Sequence, residues 1–293
     1  MLAGPIVGRY ANRIKNNTYT DPETGEVFTS VANENDGANT LHGGPYGWGW
    51  RPWTVTKVTN DSVTMSFHDP AGLEGFPGAV TSQVVYTLRA GGIFDIDLFA
   101  QTTKRTPLLA VHHGYWNLDG YAVANSSVRD WMLAMPYASK AVETDSILIP
   151  TGGFRNVSGT PLDFLQARPV GQNWNSTIGL PGPGKLGFDT CWVNDAWAPA
   201  TDPKLNIWSP ASGIKLSLTT DQPAIQIYTC AGMDGTTPRK ASQGGGFVGK
   251  DSCFVLEAEG VIDAINNPSW GIDQWYSPSR PYSFHASYAF STV

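Results

Sequence analysis

Ile93-Phe94-Asp95-Ile96-Asp97-Leu98-Phe99-Ala100 alternates apolar and polar residues over much of its length. That period of two is the mark of a strand with one buried face and one wet face. Upstream, Gln83-Val84-Val85-Tyr86-Thr87-Leu88 is a second such run, and Gly91-Gly92 supplies the turn between the two. Further back, Trp53-Thr54-Val55-Thr56-Lys57-Val58 and Val63-Thr64-Met65-Ser66-Phe67 flank Asn60-Asp61, a hairpin signal. Downstream, Ile214, Leu216 and Leu218 share one face, with Lys215, Ser217 and Thr219 on the other. Runs at 224–230, 254–257 and 282–290 repeat the pattern. Turn residues recur roughly every 8–12 positions, and no segment keeps a helical period over three turns. The chain therefore reads as all-β, a sandwich or a barrel. With no internal repeat and no linker, residues 1–293 read as one domain.

Composition narrows the partners. Of 293 residues 41% are hydrophobic, enough for a sizeable core. Eleven Trp, 11 Tyr and 12 Phe suit sheet interiors first and sugar-stacking surfaces second. A net charge of −6 with no basic stripe argues against nucleic acid and anionic membranes. No apolar stretch approaches the ~20 residues of a membrane-spanning helix. Cys191, Cys230 and Cys253 have no CxxC spacing, so a zinc or redox motif is not indicated. An odd count leaves at least one thiol unpaired, and buried inert thiols are the default reading. Five Asn-x-Ser/Thr sequons, at Asn16, Asn60, Asn125, Asn156 and Asn175, favour a secreted protein if the natural N-terminus lies upstream. The visible N-terminus has no signal-peptide pattern and, taken alone, points to the cytoplasm.

Candidate chemistry is sparse. His42 precedes Gly43-Gly44, a tight turn that leaves its imidazole projecting. His112 and His113 are adjacent on a strand-like run and must point to opposite faces. Asp189 lies beside a turn, where an Asp is commonly a turn residue. Glu257 ends an apolar run, where a carboxylate is costly unless it is paired or solvated. Arg9 and Arg13, four apart, read equally well as surface charge.

The order of these signals is more specific than any one of them. Gly8-Arg9-Tyr10-Ala11-Asn12-Arg13-Ile14 is followed by Leu41-His42-Gly43-Gly44, then His113-Gly114-Tyr115-Trp116-Asn117-Leu118. Gly187-Phe188-Asp189 and Leu256-Glu257 come next. Gly75-Phe76-Pro77-Gly78, Pro150-Thr151-Gly152, and Thr219-Thr220-Asp221-Gln222-Pro223 fall between them. Over nearly its whole length the chain resembles the aldose 1-epimerase (galactose mutarotase) family. The resemblance implies a large antiparallel β-sandwich, the supersandwich, with N-terminal strands missing because members carry a longer stretch before the first motif.

It also implies a reaction: interconversion of the α and β anomers of a free hexose, glucose or galactose, by ring opening at C1. The family's base falls on Glu257 and its acid on His113. Its sugar ligands fall on Asn12, Arg13, His42, Asp189 and Gln222, with Tyr115 nearby. The family uses no metal and no organic cofactor, and its partner is the sugar itself. A hexose-6-phosphate epimerase would need a basic cluster, which the sequence lacks beyond Arg9 and Arg13. A binding protein of the same fold with little turnover is the reading from another class. Glu259, two residues beyond Glu257, shares its face if the strand continues, and would there raise the pair's proton affinity.

Overall fold

The computed structural model describes residues 4–123 and 126–293, so the Asn125 sequon and residues 1–3 lie outside the described residues. Two antiparallel sheets carry the fold. The larger has nine strands, in spatial order Arg168–Pro169, Met132–Ala134, Leu205–Trp208, Ile214–Thr220, Tyr282–Thr292, Ile93–Thr102, Val80–Arg89, Ser62–Asp69 and Thr54–Val58. The smaller has six: Tyr115–Trp116, Phe254–Glu259, Ala224–Tyr228, Asp189–Val193, Lys140–Thr144 and Pro150–Asn156. Among the described residues the helical elements are short 3₁₀ turns. None is long and apolar enough to cross a membrane.

The alternation at 93–100 does what a half-buried strand should. Ile96, Leu98 and Ala100 are buried, while Asp97 and Phe99 face outward. Across the sandwich, Trp192, Ile225, Ile227, Phe254, Leu256 and Ala258 supply the opposing face, and the two sets form one hydrophobic cluster. The Tyr288 hydroxyl donates to the Leu256 carbonyl at 3.2 Å and ties the sheets together. Gly91 and Gly92 both take positive φ in the three-residue turn, 90–92, that joins Arg89 to Ile93.

Because strand residues alternate, filling the core with Trp192, Ile225 and Leu256 turns Cys191, Gln226 and Glu257 to the other face of the small sheet. Register confirms the alignment: Gln226 stands opposite both Cys191 and Glu257, and Tyr228 opposite Asp189. This second face is covered by the N-terminal segment, where Tyr10, Ala11 and Ile14 pack with Leu109, Val111 and Trp275.

Two of the three cysteines depart from the expectation of buried inert thiols, and Cys191 meets it. Cys230 and Cys253 form a disulfide, and Cys191 is free and buried. The pairing arises because Cys253 precedes the strand that neighbours the one ending before Cys230, which brings their Cα atoms to 5.6 Å.

Candidate active site

His113 and Glu257 meet on the outward face of the small sheet. His113 Nε2 lies 3.7 Å from Glu257 Oε1, and both side chains are more than nine-tenths buried. Glu257 is fixed by the middle of its strand. His113 follows the short Val111–His112 strand, and the two histidines separate as alternation demands. His112 packs among the rings of Tyr86, Phe94, Trp116 and Tyr288. His113 instead meets Tyr115 and His42, each with ring centroids at 5.3 Å.

His42 is held by backbone. Gly43 takes φ +78°, and a Cβ there would sit 2.2 Å from the Gly8 carbonyl oxygen, so only glycine allows the turn. The Asn12 amide N–H donates to His42 Nδ1 at 3.1 Å. That bond assigns the ring proton to Nε2, which leaves His42 a hydrogen-bond donor on its other side. Burial, with His113 and Arg13 adding to it, holds His42 neutral, well below the ordinary imidazole range.

Arg13 enters from the Arg13–Lys15 strand. Its Nε and Nη2 donate to the two oxygens of Glu34, each at 2.8 Å, and Nη1 lies 4.0 Å from Asp189 Oδ2. Burial opposes its charge, but Asp189 and Glu34 outweigh it and hold the guanidinium ionised. Asn12 Oδ1 accepts from the Arg13 backbone N–H at 3.0 Å. Asp189 also accepts from the Gln226 amide at 2.6 Å.

Of the expected site residues, the structure brings together Glu257, His113, Asn12, Arg13, His42, Tyr115 and Asp189. It does not bring Gln222. The Gln222 amide donates to Asp221 Oδ1 at 2.7 Å and to the Ser283 carbonyl at 3.4 Å, both off the cleft face. Gln222 precedes the Ala224–Tyr228 strand and escapes its alternation, whereas Gln226 sits mid-strand beside Glu257. The sequence held a signal for Gln226, a lone amide inside an apolar strand. Glu34 is also missed, and its loop carries no comparable signal. Arg9, from the same motif as Arg13, turns inward to Asp69 and the carbonyls of Pro77 and Gly78.

Burial sets the electrostatics of the pair. It pushes Glu257 up to about 8, with Asp189 adding to the rise and Arg13 opposing it. It pushes His113 down to about 4. Glu257 Oε2 and Gln226 Oε1 have no hydrogen-bond partner among the described residues. Buried polar atoms are rarely left so, and in a cleft such atoms are free to bond an incoming ligand.

An acid–base pair ringed by fixed donors and acceptors can move protons on a small polyhydroxylated molecule. The family described as aldose 1-epimerase matches residues 1–289. A protein of Arthroderma benhamiae named "Probable aldose 1-epimerase" is 38% identical over 98% of this chain and 73% of its own length. Galactose mutarotase of Bos taurus is 33% identical over 90% of this chain and 72% of its own. The crystal structure of an aldose epimerase homologue from C. elegans superposes with a TM-score of 0.84 at 30% identity, covering 100% of this chain and 83% of that one. The chain belongs to the aldose 1-epimerase family, isomerases that interconvert the anomers of aldoses.

Proposed function

We propose that the protein opens and recloses the ring of a free hexose, glucose or galactose, with Glu257 and His113 exchanging the protons. The carrying observation is their 3.7 Å approach beside Arg13, Asp189, Gln226 and His42. The hydroxyl oxygen and the ring oxygen are bonded to the same carbon, so an acid and a base that serve both must stand close together. Glu257 takes the proton from the C1 hydroxyl, His113 gives one to the ring oxygen, and the C1–O5 bond breaks to leave the aldehyde. Rotation about C1–C2 offers the other carbonyl face, and the two transfers run backwards.

One proton serves the whole cycle. The cyclic sugar needs it on His113, and the open aldehyde leaves it on Glu257. The pKa directions favour the second arrangement in the free protein, so ring opening carries the pair toward its preferred state. Arg13, Asp189, Gln226 and the His42 Nε2–H hold the remaining hydroxyls and fix which ring atoms face the pair.

Free sugar is favoured over a phosphorylated one because Arg9 is committed to Asp69 and Arg13 to Glu34. Polarimetry on fresh α-glucose or α-galactose tests the reading: rotation decays faster than the buffer blank. Decay at the blank rate, with sugar binding retained in calorimetry, would instead support a binding protein.

Secretion is the compartment we favour. The Cys230–Cys253 disulfide suits an oxidising environment. Asn16, Asn60, Asn156 and Asn175 are all exposed and open to glycosylation. An endoglycosidase-dependent mobility shift of the natively expressed protein checks this.

A further inference from the structure

Glu259 ends the Phe254–Glu259 strand two residues beyond Glu257, and alternation turns both side chains to the same face. In register it stands opposite Ala224, whose methyl offers no donor. It is wholly buried, and neither carboxyl oxygen has a hydrogen-bond partner among the described residues. The groups facing it come from every neighbouring element: Glu257 on its own strand, Cys191 and Asp189 on the Asp189–Val193 strand, and Asn12 from the N-terminal segment. The phenols of Tyr10 and Tyr282 complete the set. None of these is a cation, and two are carboxyls. Arg13, the guanidinium of the site, is already held by Glu34 and Asp189.

An ionised carboxylate buried beside two other carboxyls, with no cation to pair it and only the Cys191 thiol and the Asn12 amide as weak neighbouring donors, is costlier than its neutral acid. We propose that Glu259 is held as a neutral carboxylic acid in the working protein, leaving Glu257 as the only carboxyl of the two that gains and loses a proton during turnover. The electrostatics agree. Glu257 acts on Glu259, while the charge that raises Glu257 after burial is that of Asp189. A charged Glu259 would add a second negative charge behind the base and push its proton affinity beyond use near neutral pH. The role assigned to Glu259 rests on the acid–base reading of Glu257, but its protonation can be measured without sugar and without turnover.

Infrared spectroscopy of the full chain in heavy water separates acid from carboxylate. The expected result is a carboxylic-acid C=O band that persists in Glu257→Gln at about pH 9, above the values to which burial raises Glu257 and Asp263, and is lost there when Glu259→Gln is added. If Glu259→Gln does not fold, Glu257→Gln still decides at about pH 9, where Asp263, raised by burial to about 7, has lost its proton. An acid band remaining there supports the proposal, and its absence overturns it.

Thermal unfolding gives a second readout. A carboxyl whose proton affinity is raised by folding costs stability progressively as pH climbs above the unfolded carboxyl value. The melting-temperature gain of Glu259→Gln over wild type should therefore grow between about pH 5 and pH 9. A constant offset would mean packing alone and would overturn the proposal. The alkaline midpoint of kcat/KM should be the same in Glu259→Gln as in wild type. A fall of about one unit would mean that Glu259 had been charged.

Discussion

His113 Nε2 stands 3.7 Å from Glu257 Oε1, and the two belong to different elements of the fold: a turn after the Val111–His112 strand and the middle of the Phe254–Glu259 strand. In the proposed ring opening neither side chain can act alone, since one transfer in each direction needs a donor and an acceptor together. Glu257→Gln keeps the shape and removes the proposed base, and His113→Asn removes the proposed acid. Each should lower kcat by about 10²–10⁴. The double variant should fall little further, because the pair acts as a unit. Polarimetric rates for the three chains check this, and a double variant whose losses multiply would argue for two independent groups.

Gln226 and Gln222 make a matched comparison. Gln226 holds Asp189 at 2.6 Å and lies on the cleft face, while Gln222 is bound to Asp221 outside it. Gln226→Ala should raise KM roughly tenfold, about the worth of one lost hydrogen bond to a charged or buried partner. Gln222→Ala should leave KM within error. Sugar titration by calorimetry gives the same ordering free of kinetics.

The contrast between these two glutamines also marks how far sequence reading reaches. Strand alternation is local, so the runs around Ile96, Leu216 and Leu256 disclosed an all-β fold and its buried face directly, while the choice of a sandwich over a barrel came from the family resemblance. Glu257, His113, Arg13 and Asp189 could be placed because each sits in a motif whose spacing is rigid. Gln222 went astray because the inserted Asp221 and the following Pro223 put it in the bend before a strand, where period two does not apply. Arg9 and Arg13 share one motif, yet only Asp69, sixty residues away, decides that Arg9 turns inward. The Cys230–Cys253 bond needed the same long-range information, since it depends on which strands become neighbours.

Glu34 grips Arg13 through both carboxyl oxygens, and this fork fixes the plane of the guanidinium beside Asp189. Glu34→Ala frees Arg13 to swing toward Asp189. KM should rise by about one order of magnitude, the lower end of what a charge-assisted pair is worth, with kcat changed far less. A loss confined to kcat would show that Glu34 bears on the chemistry and not on binding.

The disulfide spans 23 residues of sequence and ties the loop between Cys230 and Cys253 to the end of the small sheet. Closing a loop of that length stabilises the folded chain by about 3 kcal/mol in the chain-entropy account. Cys230→Ala together with Cys253→Ala should show that loss in urea unfolding, and wild type under reductant should approach it. Equal midpoints with and without reductant would mean that the bond does not form in solution.

The pH profile follows from the proton shared by the pair. Below about 4 both groups are protonated, Glu257 as acid and His113 as imidazolium, and no base remains. Above about 8 both are deprotonated, and no acid remains. Between those values the pair holds one proton, and either placement leads into the cycle. Plots of kcat/KM should therefore be bell-shaped, with a broad top in the mildly acidic to neutral range and limbs near those two values. The limbs belong to the pair and not to either residue, so replacing one partner should abolish the bell and not merely shift one side of it. Activity that stays at its maximum about two units above the upper limb would show that the proton on Glu257 is not part of the reaction.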